Sequence, residues 1–213
     1  MHRFPIVLCL GLAVASAEIV DRLAITVGRE AVTELQLDEE LRVTAFLNRQ
    51  PIVRDLNARH AAVDRLVQQL LVRHEMEVSR YPLPDEEDVN KYFGQIRSGF
   101  GSGAQFEEAL VRYGLTEGSL REHLALQLTT LRFIEFRFQP EVSVSEAEIR
   151  AAYEREVVGW KAAHSGSPPP TLGGSRESIR RNLVEEHIDR ALDAWLQERR
   201  RRVRVVYVDA ALQ

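Results

Sequence analysis

Residues 18–42 read EIVDRLAITVGREAVTELQLDEELR, and this stretch decides the expected fold. Polar and apolar residues alternate over residues 20–27, which is the period-2 pattern of a β-strand. Residues 28–30 break the alternation and are typical of a turn. Thr33 and Gln36 then stand at the spacing of a capping box, which predicts that a helix begins there. The stretch therefore predicts a short strand, a tight turn and a long helix.

Residues 1–17 have the organisation of an export signal. Arg3 precedes an apolar run over residues 4–14, and the tripeptide ASA at residues 15–17 supplies the small residues of a cleavage site. The apolar run is too short to cross a bilayer as a helix, which needs about 20 residues. We therefore expect cleavage after Ala17 and a periplasmic protein without stable membrane insertion. An uncleaved membrane anchor is the alternative.

The composition argues against several classes of protein. Cys9 is the only cysteine and lies in the expected signal, so the mature chain should contain no disulfide. The chain carries 28 basic and 32 acidic residues, a balance that gives no general attraction to nucleic acid or anionic lipid. The basic run at residues 199–202 has two interpretations. It either contacts nucleic acid, lipid head groups or an acidic partner, or it closes a helix and flanks an edge strand.

Helical periodicity dominates the middle of the chain. A strong apolar stripe predicts a helix over about residues 57–80, and two shorter helices follow as far as Gly114. Thr116 opens a long helix that should run to about Phe138. A further capping box at residues 145–148 predicts the start of the next helix.

The end of the chain predicts a linker, a helix and a second strand. Residues 160–174 contain three consecutive prolines and three glycines, which is linker composition. A helix is expected from about residue 175, and the β-branched and aromatic residues 203–208 predict a strand. Because a lone strand cannot satisfy its own backbone, we expect the two terminal strands to pair. Residues 175–213 would then complete the same domain as residues 18–159.

This order of elements resembles the SurA-type periplasmic chaperones, a foldase family linked to parvulin prolyl isomerases. The resemblance covers residues 18–158 and includes LPDEEDVNKYFGQIRSGFGSGAQFEEALVRYGLTEGSLREHLALQLTTLRFIEFRF and the later VSVSEAEIRAAYE. It implies a mainly α fold, in which a SurA N-terminal-like multi-helix domain is completed by the C-terminal helix, with a small sheet pairing the terminal strands. The family inserts a parvulin domain where this chain has only the linker, so isomerase activity does not carry over.

The sequence offers no other recognisable chemistry. His74 and Glu75 begin like a zinc-protease motif, but Val78 stands where the second histidine is required, and zinc needs three or four convergent ligands. There is no nucleophile elbow, no P-loop and no dinucleotide-binding glycine pattern. We therefore expect no metal site, no cofactor and no catalytic residues, and an enzyme with an unrecognised site is the least favoured class.

The long helix that begins at Thr116 is apolar on two sides. One face holds Leu120, Leu124, Leu131, Ile134 and Phe138, and the roughly opposite face holds Leu126, Phe133 and Phe136. Such a helix is either sandwiched in the core or faces a groove that takes an apolar ligand. In the groove interpretation, Leu126, Phe133 and Phe136 bind unfolded clients, and Phe100 contributes from its glycine-rich loop.

The resemblance and the two-sided helix favour an ATP-independent periplasmic chaperone. Such a holdase would bind unfolded envelope or outer-membrane proteins through apolar contacts and backbone hydrogen bonds, without isomerase activity. Its partners would be unfolded polypeptides and not nucleic acid, and a homodimer is compatible with the sequence. The alternative is an envelope adaptor or structural protein that binds one folded partner with the same surface. Broad binding to unfolded chains separates the two.

Overall fold

The computed structural model describes residues 21–164 and 166–212. The expected export signal lies outside these residues. Within them the chain is mainly helical and carries one small antiparallel sheet, so the mainly α fold and the small sheet of the prediction are confirmed. The SurA-like identity of the domain stays a prediction. No helix of the described part combines the length and the apolar character that a membrane span requires.

The sheet joins the two ends of the chain. Its strands are β1 (Leu23–Val27), β2 (Glu30–Thr33) and β3 (Val205–Tyr207), in the order β2-β1-β3. In the β1–β3 pair, Ile25 lies opposite Tyr207 and Val27 lies opposite Val205. The expected pairing of the terminal strands is therefore present.

The sequence does not predict β2, so the expectation of two strands is wrong. Residues 30–33 form a hairpin with β1 that turns at Gly28, whose φ of 62° suits a residue without a Cβ. β2 has four residues and its last, Thr33, is also the N-cap of the following helix. Its alternation is too short to be distinguished from a turn that runs into a helix.

Seven α-helices follow within the described ranges. They are α1 (Glu34–Asn48), α2 (Leu56–Val78), α3 (Glu86–Ser98), α4 (Gly103–Tyr113), α5 (Glu117–Arg137), α6 (Glu146–Ala163) and α7 (Leu172–Arg202). Complete capping boxes open α1, α3, α5 and α6, with Thr33, Asp85, Thr116 and Ser145 as the N-caps. Gly114, in the left-handed conformation, ends α4.

The connection between α6 and α7 is shorter than the expected linker. α6 continues to Ala163, and Thr171 caps α7, so Gly173 and Gly174 lie inside its first turn. Only residues 164–171 connect the two helices. Composition alone predicts a longer linker, because glycine is unfavourable in helix interiors but is tolerated here in the first turn.

The described residues bury their apolar side chains in three clusters. The main core lies between the sheet, α1, α2, the end of α5 and the C-terminal half of α7. A second core joins α1 to α3, α4 and the start of α5 around Phe46 and Phe106. A small third cluster joins α6 to the first half of α7 through Ile149, Ile179 and Leu183. We call α6 and the first half of α7 the arm.

The basic run at the end of α7 forms ion pairs with α2. Arg199 lies 2.6 Å from a carboxylate oxygen of Glu75, and Arg200 lies 2.9 Å from one of Asp64. Arg202 pairs with Glu198 on its own helix, and Arg201 is exposed. These contacts favour the interpretation of the run as a helix end over that of a binding site for nucleic acid or lipid.

Candidate functional site

Phe133 lies in the main core. Its side chain has no exposed surface, and its ring centroid is 4.6 Å from that of Trp195 on α7. α7 covers this side of α5, so Phe133 does not line a groove. The sequence could not show this, because the covering residue lies on a helix far along the chain.

Other residues of α5 also depart from the expected two faces. Leu131 is 54% exposed, although the pattern places it with the buried Leu120 and Leu124. Phe136 is 41% exposed and stacks on Tyr81, with 5.9 Å between the ring centroids. Phe136 therefore stays a candidate contact, and Leu131 becomes one.

Phe100 is held in place by its neighbours. Its ring stacks on that of Phe46 with 5.0 Å between the centroids, and the guanidinium carbon of Arg49 lies 5.1 Å from the same ring. Arg49 also donates a hydrogen bond to the carbonyl of Gly99. These contacts make Phe100 a half-buried member of the second core and not a free side chain on a loop.

Leu126 lines the first of two open clefts at the junction of α1, α2 and α5. The first cleft has a volume of about 200 Å³ and lies between β2, α1, α2 and α5. The second has a volume of about 530 Å³ and lies between α1, α2, α3 and α5. Glu40 and Gln69 border both clefts. Among the four residues predicted to bind clients, Leu126 is the one that faces these clefts.

Glu40 is a buried carboxylate at the centre of this junction. Only 2% of it is exposed, and its Oε1 accepts hydrogen bonds from Arg65 Nε at 2.5 Å and from Thr44 Oγ1 at 3.2 Å. Its Oε2 lies 3.2 Å from His123 Nδ1 but forms no hydrogen bond with it or with any other described residue. The buried Oε1 of Gln69 also lacks a donor. Buried polar atoms without partners are costly, so these two acceptors mark a place where a ligand could add donors.

His123 is a neutral neighbour of Glu40. Burial lowers the pKa of His123, and the nearby Glu40 carboxylate opposes this effect only in part. The hydroxyl of Tyr92 approaches Gln127 Oε1, which turns Gln127 Nε2 toward His123 Nε2 at 3.0 Å. In this arrangement His123 Nε2 accepts a hydrogen bond from the amide of Gln127, and the proton of the neutral ring is on Nδ1, beside Glu40.

The Glu40–His123 pair is not arranged for nucleophilic catalysis. Gln127 occupies the ring nitrogen that a nucleophile would need, and the hydroxyl of Ser119 is engaged with Thr116 in the cap of α5. A catalytic serine requires its hydroxyl within hydrogen-bond reach of the imidazole. No group of three or more His, Cys, Asp or Glu side chains in the described part of the chain is placed to hold a metal ion.

The second cleft combines apolar and hydrogen-bonding groups. Its apolar side chains are Leu47, Tyr92 and Leu131, and its polar ones include Thr44, Asn48, Gln68, Gln127 and Thr130. Amide and hydroxyl groups can pair with a polypeptide backbone of any sequence, while the apolar side chains can cover its apolar residues. The sequence holds one sign of this site, because Glu40 interrupts the buried face of α1 between Leu37 and Leu41.

The sequence matches no protein-family model, and it matches no curated protein.

Proposed function

We propose that the protein is an ATP-independent periplasmic chaperone, a SurA-like holdase that binds unfolded envelope or outer-membrane proteins. The observation that carries the proposal is the second cleft, which is open, about 530 Å³ in volume and lined by both apolar and amide side chains. Such a surface suits extended chains of varied sequence better than one rigid small molecule.

Binding in this cleft would be weak enough to reverse without ATP. Burying one client side chain against Leu47, Tyr92 or Leu131 contributes at most about 1.5–3 kcal/mol. Ordering of the client and of the cleft side chains opposes this gain. A few such contacts give affinities near the micromolar range, from which a client can leave spontaneously.

The compartment and the lack of isomerase activity belong to the same proposal. The periplasmic location rests on the expected export signal at residues 1–17. The short connection at residues 164–171 leaves no segment for a parvulin domain, so a standard Xaa-Pro peptide assay should show no acceleration of isomerisation.

Light scattering tests the proposal. An outer-membrane β-barrel protein unfolded in denaturant is diluted into buffer without ATP, and the mature protein should suppress its aggregation. Leu131→Glu should weaken this suppression by placing a charge in the second cleft. Val111→Glu is the matched control, because Val111 is 78% exposed on α4, away from the cleft. A wild-type protein that leaves aggregation unchanged would contradict the proposal.

One feature of the arm favours the adaptor alternative. A third cleft of about 380 Å³ is lined mainly by apolar groups, among them Tyr153, Trp160 and Pro170. Tyr153 donates a hydrogen bond to the Pro170 carbonyl at 2.9 Å, which fixes this wall. A mainly apolar surface of this kind suits one folded partner. If Trp160→Ala abolished binding to a single envelope protein while the wild type suppressed no aggregation, the adaptor would be preferred.

A further inference from the structure

We propose that the first cleft binds a basic side chain, arginine or lysine, from an extended polypeptide segment. This inference rests on the proposed function, because it states which client segments the chaperone selects. It is carried by the charge of the cleft, by its buried acceptors and by the strand that forms one wall.

The charges that line the first cleft are unbalanced. Four carboxylates, those of Glu30, Glu39, Glu40 and Glu122, face one cation, Arg73. Arg73 pairs with Glu30, and Arg65 pairs with Glu40 from outside this cleft. Glu39 and Glu122 form no ion pair with any residue of the described ranges. A cationic group that enters the cleft would therefore meet carboxylates that lack a counter-charge.

Two residues that line the cleft add acceptors that form no hydrogen bond. Glu40 Oε2 and Gln69 Oε1 are buried and accept no hydrogen bond from the described residues. A guanidinium or ammonium group carries only donors, so it complements these atoms. Leu66, Leu70 and Leu126 also line the cleft and can pack against the methylene stem of such a side chain.

β2 supplies the reason to expect a polypeptide and not a small amine. β2 is an edge strand of the sheet. In the hairpin, Ala31 lies opposite Thr26 on β1, and the residues on either side of Ala31 are also paired with β1. The alternation of an antiparallel ladder turns the N–H and C=O of Ala31 toward the free edge. Because Ala31 and Val32 also line the first cleft, an extended segment paired with this edge can place a side chain in it.

Fluorescence anisotropy with two labelled peptides tests the proposal. One peptide alternates aromatic and polar residues around a central arginine, and its twin has glutamine at that position. The mature protein should bind the arginine peptide about threefold to tenfold more tightly, as expected for one or two partly exposed charge pairs. The preference should shrink as the salt concentration rises.

Variants at the rim of the first cleft, where Glu39 and Glu122 lie, test whether this cleft causes the preference for arginine. Glu39→Gln combined with Glu122→Gln should remove most of the preference for arginine while the glutamine peptide binds as before. The control combines Glu154→Gln with Glu185→Gln, which neutralises two exposed arm carboxylates and should leave the preference intact. Circular dichroism checks that both double variants are folded.

Three results would overturn the proposal. They are equal affinity of the wild type for the two peptides, an unchanged preference in the rim variant, and an equal loss in the arm variant. Methylation of alternate backbone nitrogens in the arginine peptide should weaken its binding, and unchanged affinity would overturn the pairing with β2. If aggregation is suppressed without any preference for arginine, this inference fails and the chaperone stands. If the preference exists without suppression of aggregation, the proposed function fails.

Discussion

At the scale of single residues, one buried carboxylate connects the three helices of the site. Arg65 on α2 and His123 on α5 approach Glu40 on α1 to 2.5 Å and 3.2 Å. A buried charge is expensive unless it is paired, so each partner constrains where its helix can lie. Glu40 thus serves the fold, and its Oε2 forms no hydrogen bond beside the clefts.

The burial of His123 makes stability depend on pH. Burial lowers the pKa of His123 in the folded protein, whereas an unfolded histidine titrates near pH 6.5, so the unfolded chain binds more protons in mildly acid solution. The free energy of unfolding should therefore decrease as the pH falls from about 7 toward about 5. Urea unfolding across this range measures the slope, which should be smaller in His123→Gln. Identical slopes in the two proteins would refute the assignment.

The carboxylate of Asp38 affects the free energy of unfolding at lower pH than His123 does. Hydrogen bonding to Arg54 lowers the pKa of Asp38, so its contribution to stability is present above the usual carboxyl range and is lost below about pH 4. The two effects are separable, because the histidine titrates first as the solution is acidified.

Phe133 and Phe136 should respond differently to truncation. Phe133→Ala opens a cavity in the main core and should lower the free energy of unfolding by about 3–5 kcal/mol. Phe136→Ala, on the partly exposed stack with Tyr81, should cost about 1 kcal/mol or less. Urea unfolding of both variants gives the comparison. Equal and small losses would mean that α7 does not cover α5 as described.

At the scale of elements, the C-terminal segment closes the main core. Val208 N donates to the carbonyl of Ala24 at 2.9 Å, Asp209 pairs with Arg59 at 2.6 Å, and Leu212 is 2% exposed. These contacts continue the pairing of β3 with the side of β1 that faces away from β2, and they hold the segment against the N-terminal end of α2.

Deletion of residues 204–213 tests the role of this segment. The deletion removes β3 and the buried Leu212 but keeps the whole of α7. It should lower the melting temperature on the order of 10 °C, given the cost of emptying a leucine site in a chain of this size. Thermal unfolding followed by circular dichroism measures the change. A melting temperature equal to that of the full chain would show that β3 contributes nothing to the core.

The sequence predicts the bounds of those elements whose capping residues lie close together in the chain. The cap at Thr33 forms with Gln36 because both residues lie within one helical turn, and Gly114 ends α4 through its own left-handed conformation. β2 is too short to show a pattern of its own, and the side of α5 that carries Phe133 depends on α7, which lies far along the chain. The clefts are harder to predict from the sequence, because their walls come from separate elements and each element contributes only a few residues.

At the scale of the whole molecule, α7 connects the arm to the main core. It has 31 residues and so is about 46 Å long. Its second half packs in the main core through Leu192, Trp195 and Leu196, while its first half packs on α6. The first and second clefts lie among β2, α1, α2, α3 and α5, whereas the third cleft lies on the arm.

Site-specific photo-crosslinking tests the central claim most directly. A photoreactive amino acid replaces Leu131 at the rim of the second cleft, or Val111 on α4 as the matched exposed control. Each protein is mixed with an unfolded outer-membrane β-barrel protein without ATP and irradiated. The holdase account predicts a strong adduct from position 131 and little or none from position 111. No adduct at position 131, or equal adducts at both positions, would contradict it.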